Sequence, residues 1–300
     1  MIKEFFLCTL SFVTLSFIMV SCGDFNAPTN PNSDQGALKG VFTVSSTGKK
    51  VRFSQGNLQY NPKADKWRFA ENQWDFIGKD NENIVVENYD GWLDLFGWGT
   101  GDNPTKHTKE WSDYSSSQDW GENPILNGGN KKNAWSTLTS GRWHYLIFER
   151  DQKLFGFGTV NNIPGLILLP DEWILPEGLT FNPSTEKGLE WGEDYLEGQY
   201  INSNKDNFLH NSYNKEEWTK MEAAGAVFLP AASVRSGAEY YNKEELEAYC
   251  GTYWSKTNSS SYFSNAYSLE FTNWILQPAT GKSLRLLYFG CSVRLVQDVK

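Results

Sequence analysis

Near its C-terminus the chain runs GCSVRLV, Gly290 to Val296. Ser292 to Val296 alternates in the manner of a β-strand, so Ser292, Arg294 and Val296 point to one side and Val293 and Leu295 to the other. A guanidinium in a half-buried strand needs acceptors, because an unpaired buried charge is costly. Arg294 is therefore read as a structural residue rather than a ligand-binding one.

Upstream, Ala266–Phe271 and Gly251–Ser255 read as two further strands. Asn242 and Glu245 have the spacing of a capping box, which predicts a short helix over 242–249. The clearest helix is 214–224. Asn214 and Glu217 cap its start, Gly225 ends it, and Trp218, Met221 and Ala224 form its inner stripe. A strand follows at Ala226–Leu229. Leu175–Gly178 is a turn and Gly165–Leu169 a buried strand. Thr139 caps a second helix reaching Arg150, with Trp143, Leu146, Ile147 and Arg150 at helical spacing. Trp67–Ala70 and Gln73–Phe76 read as short strands turning at Glu71–Asn72, and Val41–Tyr60 as a hairpin across Ser-Thr-Gly. No repeat appears. Residues 39–300 suffice for a single domain, rich in β-structure, with 13 Trp, 14 Tyr and 19 Phe for its core.

Residues 78–133 form a long loop region dominated by Gly, Asn, Asp and Ser. Loops of this length are functional or disordered, and the scattered aromatics argue for order. Within it, GWLDLFGWGTGDN spans Gly91–Asn103. Trp92 and Phe96 are expected to fold inward as a secondary core. Trp98, Trp111 and Trp120 have more polar neighbours and are the candidates for a ligand-stacking surface. Asp94, Asp102, Asp113 and Asp119 lie among them, with Asp102 and Asp113 as candidate ligand contacts. That favours hydroxyl-rich or basic partners.

The N-terminus carries Lys3 and then an apolar run from Phe5 to Val20, too short for an ordinary membrane span and fitting a signal peptide over 1–21. Cys22 follows Ser21, as in a bacterial lipobox, where the cysteine is acylated. An ordinary signal peptide or an uncleaved anchor is the alternative. Residues 22–38 read as a tether, rich in Asn, Pro, Gly and Asp. Gly23 rather than an aspartate follows Cys22, which favours the outer membrane and leaves open whether the domain faces the periplasm or the surface. The net charge of -9 argues against nucleic acid as a partner. Cys250 and Cys291 remain, either as a disulfide of an exported protein or as two separate buried thiols.

Several phrases then fall in a familiar order: Trp135-Ser136-Thr137-Leu138 with Trp143 and Tyr145; Phe228-Leu229-Pro230-Ala231-Ala232 with Arg235; Gly251-Thr252-Tyr253-Trp254-Ser255; Ala266-Tyr267-Ser268-Leu269; Arg285; and Gly290 to Val296. The order resembles the FISUMP (Fibrobacter succinogenes major paralogous) type of bacterial surface lipoprotein domain. That group is distantly similar to formylglycine-generating enzymes and C-type lectin-like domains. The resemblance covers most of residues 40–297. It implies an α+β, C-type-lectin-like fold: small twisted antiparallel sheets, a few helices and long irregular loops, with the terminal strand paired inside a sheet.

The resemblance does not carry catalysis. Formylglycine-generating enzymes bind copper through a cysteine pair, and Ala248-Tyr249-Cys250-Gly251 does not match that motif. Calcium-dependent lectins need a carboxylate where this chain has Gln277-Pro278-Ala279, and Asn273-Trp274-Ile275 has the wrong order. Asp80, Glu82 and Asn83, or Asn202, Asn204 and Asp206, offer oxygens without the glycine and distant glutamate of a calcium loop. His107, His144 and His210 stand apart from one another at no metal-binding spacing. No catalytic residues, metal or cofactor are assigned. The expected function is a non-catalytic module binding a glycan or a protein. The alternatives are an enzyme on the same scaffold or a structural subunit of a surface assembly.

Overall fold

The strand Cys250–Asn258 pairs antiparallel with Asn265–Thr272, in a register set by Tyr253 opposite Leu269. Leu284–Leu286 and Ile275–Pro278 both pair with the second strand, and Tyr200–Ile201 completes this sheet. The computed structural model describes residues 35–114, 117–151, 154–184, 200–201, 207–246, 248–273, 275–279 and 283–299. The protein is α+β, with several small, mostly antiparallel sheets and short helices.

The C-terminal strand, Leu295–Asp298, lies between Lys50–Phe53 and Ser136–Thr137, with Val296 opposite Phe53. Phe42–Thr43 flanks the same sheet, so the expected hairpin over its Ser-Thr-Gly turn is present. A further sheet runs Val227–Pro230, Ile163–Leu168, Phe155–Val160 and Ser212–Tyr213.

The strand expected over 292–296 begins only at Leu295, with Ser292 held in a single bridge to Tyr253, yet the residues around Arg294 still alternate between two sides. Val296 belongs to one apolar cluster with Phe42, Phe53, Trp143 and Tyr253. Val293 and Leu295 belong to another with Trp67, Phe96, Trp98 and Trp254. Both faces are buried, not one, because the segment runs between two cores. Tyr253 and Trp254 divide between the same two clusters for the same reason. A buried aromatic removes about 150–250 Å² from water, so these rings supply much of the stabilisation.

Helix Lys215–Ala223 has the complete capping box: Glu217 N–H donates to Asn214 Oδ1 and Asn214 N–H to Glu217 Oε2, each at 2.9 Å. Gly225 ends it at φ 103°, a conformation that an L side chain rarely adopts. Trp218 and Met221 pack into a third cluster beneath Phe228. Thr139 caps Ser140–His144, which widens into a π-type turn over Tyr145–Glu149, and Trp143, Leu146 and Ile147 are buried. The helix expected at 242–249 is shorter, Lys243–Leu246, though its Asn242–Glu245 box forms.

Gln73–Phe76 is not a strand. Lys66–Phe69 pairs with Leu58–Asn61 instead, and the Gln73 side chain is drawn inward. Its Oε1 accepts from Arg294 at 3.0 Å and from Phe228 N–H at 2.7 Å, while its Nε2 donates to Glu222 at 2.9 Å.

Candidate functional site: a loop shell pinned to the sheets

Residues 78–133 contain no α-helix and no named strand among the described residues, but they are far from structureless. Short 3₁₀ turns occupy Gly78–Val85, Trp111–Tyr114, Trp120–Glu122 and Leu126–Gly128. Single β-bridges then tie the loop down. Leu93 and Tyr60 exchange N–H···O bonds of 2.9 and 2.8 Å, Phe96 and Cys291 exchange two of 3.0 Å, and Trp98 N–H donates to Leu287 at 2.9 Å. Gly99, at φ 68°, lets the chain turn toward Gln118, whose N–H donates to its carbonyl at 2.8 Å.

Two aspartates hold this shell from inside. Asp94 is fully buried and accepts from Ile77 N–H and Asn81 Nδ2, each at 2.8 Å. Asn81 Oδ1 in turn accepts from Asp94 N–H at 2.9 Å and Leu95 N–H at 3.1 Å. Burial pushes the Asp94 carboxyl up to about 6, against the opposing pull of those donors. Asp119 accepts from Gly121 N–H, Thr137 N–H and Thr137 Oγ1, and lies 3.1 Å from Lys256 Nζ. Both carboxylates are committed to the fold. Arg235 ties the shell to the strand Val234–Ser236, donating to the carbonyls of Leu95, Gly237 and Lys106.

The expected roles of the tryptophans are largely exchanged. Trp98 is 6% and Trp120 1% exposed, so neither can offer a stacking face. Trp98 is drawn in because its indole donates to Ser255 O at 3.0 Å. Trp120 opens the turn that Asp119 caps against Thr137. Phe96 is buried as expected, but Trp92 is half-buried. The bridge at Leu93 turns Leu93 inward and Trp92 outward, where the Arg68 guanidinium sits 3.9 Å above its ring. Trp111 is exposed at 45%.

Trp111 and Asp113 share the turn Trp111–Tyr114. Lys106 Nζ donates to Asp113 O and Thr108 Oγ1 to Asp113 Oδ2, each at 2.7 Å, and buried Tyr114 anchors the turn through its hydroxyl on Thr108 O at 3.1 Å. Asp102 is exposed on a separate turn closed by Asn103 N–H on Thr100 O, 3.1 Å. Trp111 and Asp113 are thus fixed together, and Asp102 is not part of their turn.

Cys250 and Cys291 are both buried free thiols, so the disulfide alternative is not the one found. Cys250 Sγ lies instead 3.4 Å from Thr252 Oγ1, and burial pushes both thiols up from the ordinary value. Glu82 accepts from Tyr240 N–H at 3.4 Å, and Asn83 donates to Asp80 O at 3.0 Å, so that run serves a turn. His107 bonds its own loop at Thr105 O, and His144 pairs with Glu149 at 3.2 Å. Among the described residues no three of His, Cys, Asp and Glu are placed to hold a metal ion. Cys22, residues 1–34, and Asn202, Asn204 and Asp206 lie outside the described residues.

An open cleft of about 540 Å³ lies elsewhere, between Lys39, Lys50, Asp171, Glu172 and Ile174. Asp171 is already bound there by Thr43 and faced by Arg150 at 3.4 Å. The connection between Cys250–Asn258 and Asn265–Thr272 displays two rings not among the sequence candidates. There Tyr262 is 62% and Phe263 78% exposed. The signal was present: two aromatics inside a run of Ser and Asn between two predicted strands. No family model, no curated protein and no solved structure matches this chain.

Proposed function

We propose that this protein is a bacterial surface lipoprotein of the FISUMP type, whose C-type-lectin-like domain binds a glycan or protein partner without catalysis. Acylation at Cys22 tethers it to the outer membrane through residues 22–38. The observation that carries the binding reading is the Trp111–Tyr114 turn. It displays a large aromatic ring and the Asp113 carboxylate, held in place by Lys106, Thr108 and buried Tyr114. A ring carried on a backbone turn that is already held gives contact area with only its own side-chain torsions left to order. Exposed Asp113 and a net charge of -9 favour a hydroxyl-rich or basic partner over nucleic acid.

The order of short phrases from Trp135 to Val296 supports the family reading, and the small antiparallel sheets under an irregular shell are compatible with it. A glycan array and a pull-down from envelope extracts, each with and without chelator, test the binding claim. Capture that persists in chelator and weakens in Trp111→Ala is expected. Capture abolished by chelator contradicts it. The anchor has its own test: in cell fractionation Cys22→Ser should leave the membrane pellet, and a variant retained there with unchanged mass refutes acylation.

A further inference from the structure

We infer that the loop joining Cys250–Asn258 to Asn265–Thr272 is a contact platform for a neutral glycan. The inference rests on the binding-module reading but uses a different element from the Trp111 turn. Tyr262 and Phe263 stand 62% and 78% exposed at its tip. The tip is built rather than loose. Tyr262 N–H donates to Ser259 Oγ at 3.1 Å, Ser259 N–H to Asn265 O at 2.9 Å, and Asn265 N–H to Tyr262 O at 2.8 Å. Leu287 N–H then fastens Ser264 O to the neighbouring strand at 2.9 Å. Two rings are thereby presented to water on a backbone that has already lost its freedom.

The surroundings select the ligand. Residues 257–265 run Thr-Asn-Ser-Ser-Ser-Tyr-Phe-Ser-Asn, without a charged side chain. The adjacent Lys256 is neutralised by Asp119 at 3.1 Å. A charged peptide or an acidic polysaccharide would find no counter-charge in the loop. A neutral sugar offers apolar C–H faces for the rings, and its hydroxyls match the donors and acceptors of Ser260, Ser261 and Asn258. Aromatic rings among Ser and Asn are also the composition by which adaptable recognition loops combine rigid area with hydrogen bonding.

The test is affinity electrophoresis of the full chain in mild detergent through gels containing neutral glucan, mannan or galactan, with alginate as the acidic arm. Neutral lipid vesicles and sedimentation of the chain alone complete it. Retardation by at least one neutral polysaccharide is expected, weakened about tenfold or more in Tyr262→Ala/Phe263→Ala, as for loss of an anchor residue. Phe263→Trp should keep it. These side chains are exposed, so an unchanged denaturation midpoint confirms that the variants fold. Neutral-glycan binding that survives the double substitution overturns the inference and leaves the binding-module reading standing. Tip-dependent binding to alginate, vesicles or a second copy, without neutral-glycan binding, overturns the ligand class. Absence of binding in every arm, together with absence of any captured protein, overturns both.

Discussion

Arg294 Nη2 donates to Gln73 Oε1 at 3.0 Å, and Gln73 Nε2 donates to Glu222 at 2.9 Å. A fully buried guanidinium is thus joined to a carboxylate through an amide. Burial lowers the guanidinium to about 10, so it remains charged at neutral pH. Removing Gln73 takes the 3.0 Å acceptor from that charge, which keeps only Asn57 Oδ1 at 3.4 Å as a side-chain acceptor among the described residues, and takes the acceptor of the Phe228 N–H as well. Gln73→Ala should therefore cost about 3 kcal/mol or more, whereas Arg294→Met removes the charge itself and costs less. Urea midpoints of the two variants check the order, and a more damaging Arg294→Met would refute the relay.

Trp98 and Trp120 allow a matched comparison, because both are buried in one cluster. The Trp98 indole satisfies Ser255 O, while Trp120 Nε1 has no acceptor among the described residues. Trp98→Phe should be more destabilising than Trp120→Phe by about 1 kcal/mol, since only the first strands a buried carbonyl. Equal losses in thermal or urea unfolding would show that packing alone matters at both sites.

Asp94 should give the fold a pH signature. Its native value of about 6 lies above the ordinary 3.8, so the native state holds this proton more tightly than the unfolded chain. The resulting stability is fully present below about pH 4 and is lost as pH rises through about 6, on the order of 3 kcal/mol. Asp94→Asn should remove that component, so the difference between parent and variant stability should change between pH 4 and 6 and be flat above 7. A difference that is constant across pH 4–8 would place the carboxyl at an ordinary value.

The buried thiols predict a chemical count. With Cys8 and Cys22 replaced by Ser, the folded protein should resist a thiol reagent, because the thiolate is the reactive form and burial pushes both thiols up. After unfolding, without reductant, both should react. A failure to react in denaturant would establish a Cys250–Cys291 disulfide.

Much of the fold was legible because its signals are local. The Asn214–Glu217 box, the Thr139 cap and the alternation about Arg294 each follow from neighbouring residues. Gln73 was misread as strand because its place depends on Arg294, Glu222 and Phe228, all more than 100 residues away. Trp98 and Trp120 were misplaced for the same reason, while Trp111 is exposed as expected. Polar sequence neighbours suggest exposure for Trp98 and Trp120, but Ser255 and Thr137, both outside the loop, hold them in, the second through Asp119. Trp111 stays outside because Tyr114 takes the inward position in their shared turn.

In the proposed function the irregular shell binds its partner through the side chains it displays, with the buried aromatics serving only to hold it. The most direct measurement is the equilibrium affinity of the full chain for the glycan or protein it captures, compared among parent, Trp111→Ala, Asp113→Ala and Trp120→Phe, each in native buffer with folding verified by near-UV circular dichroism. A loss of about tenfold or more is expected for Trp111→Ala, a smaller loss for Asp113→Ala, and unchanged affinity for folded Trp120→Phe. Parental affinity in Trp111→Ala for every captured partner would contradict it.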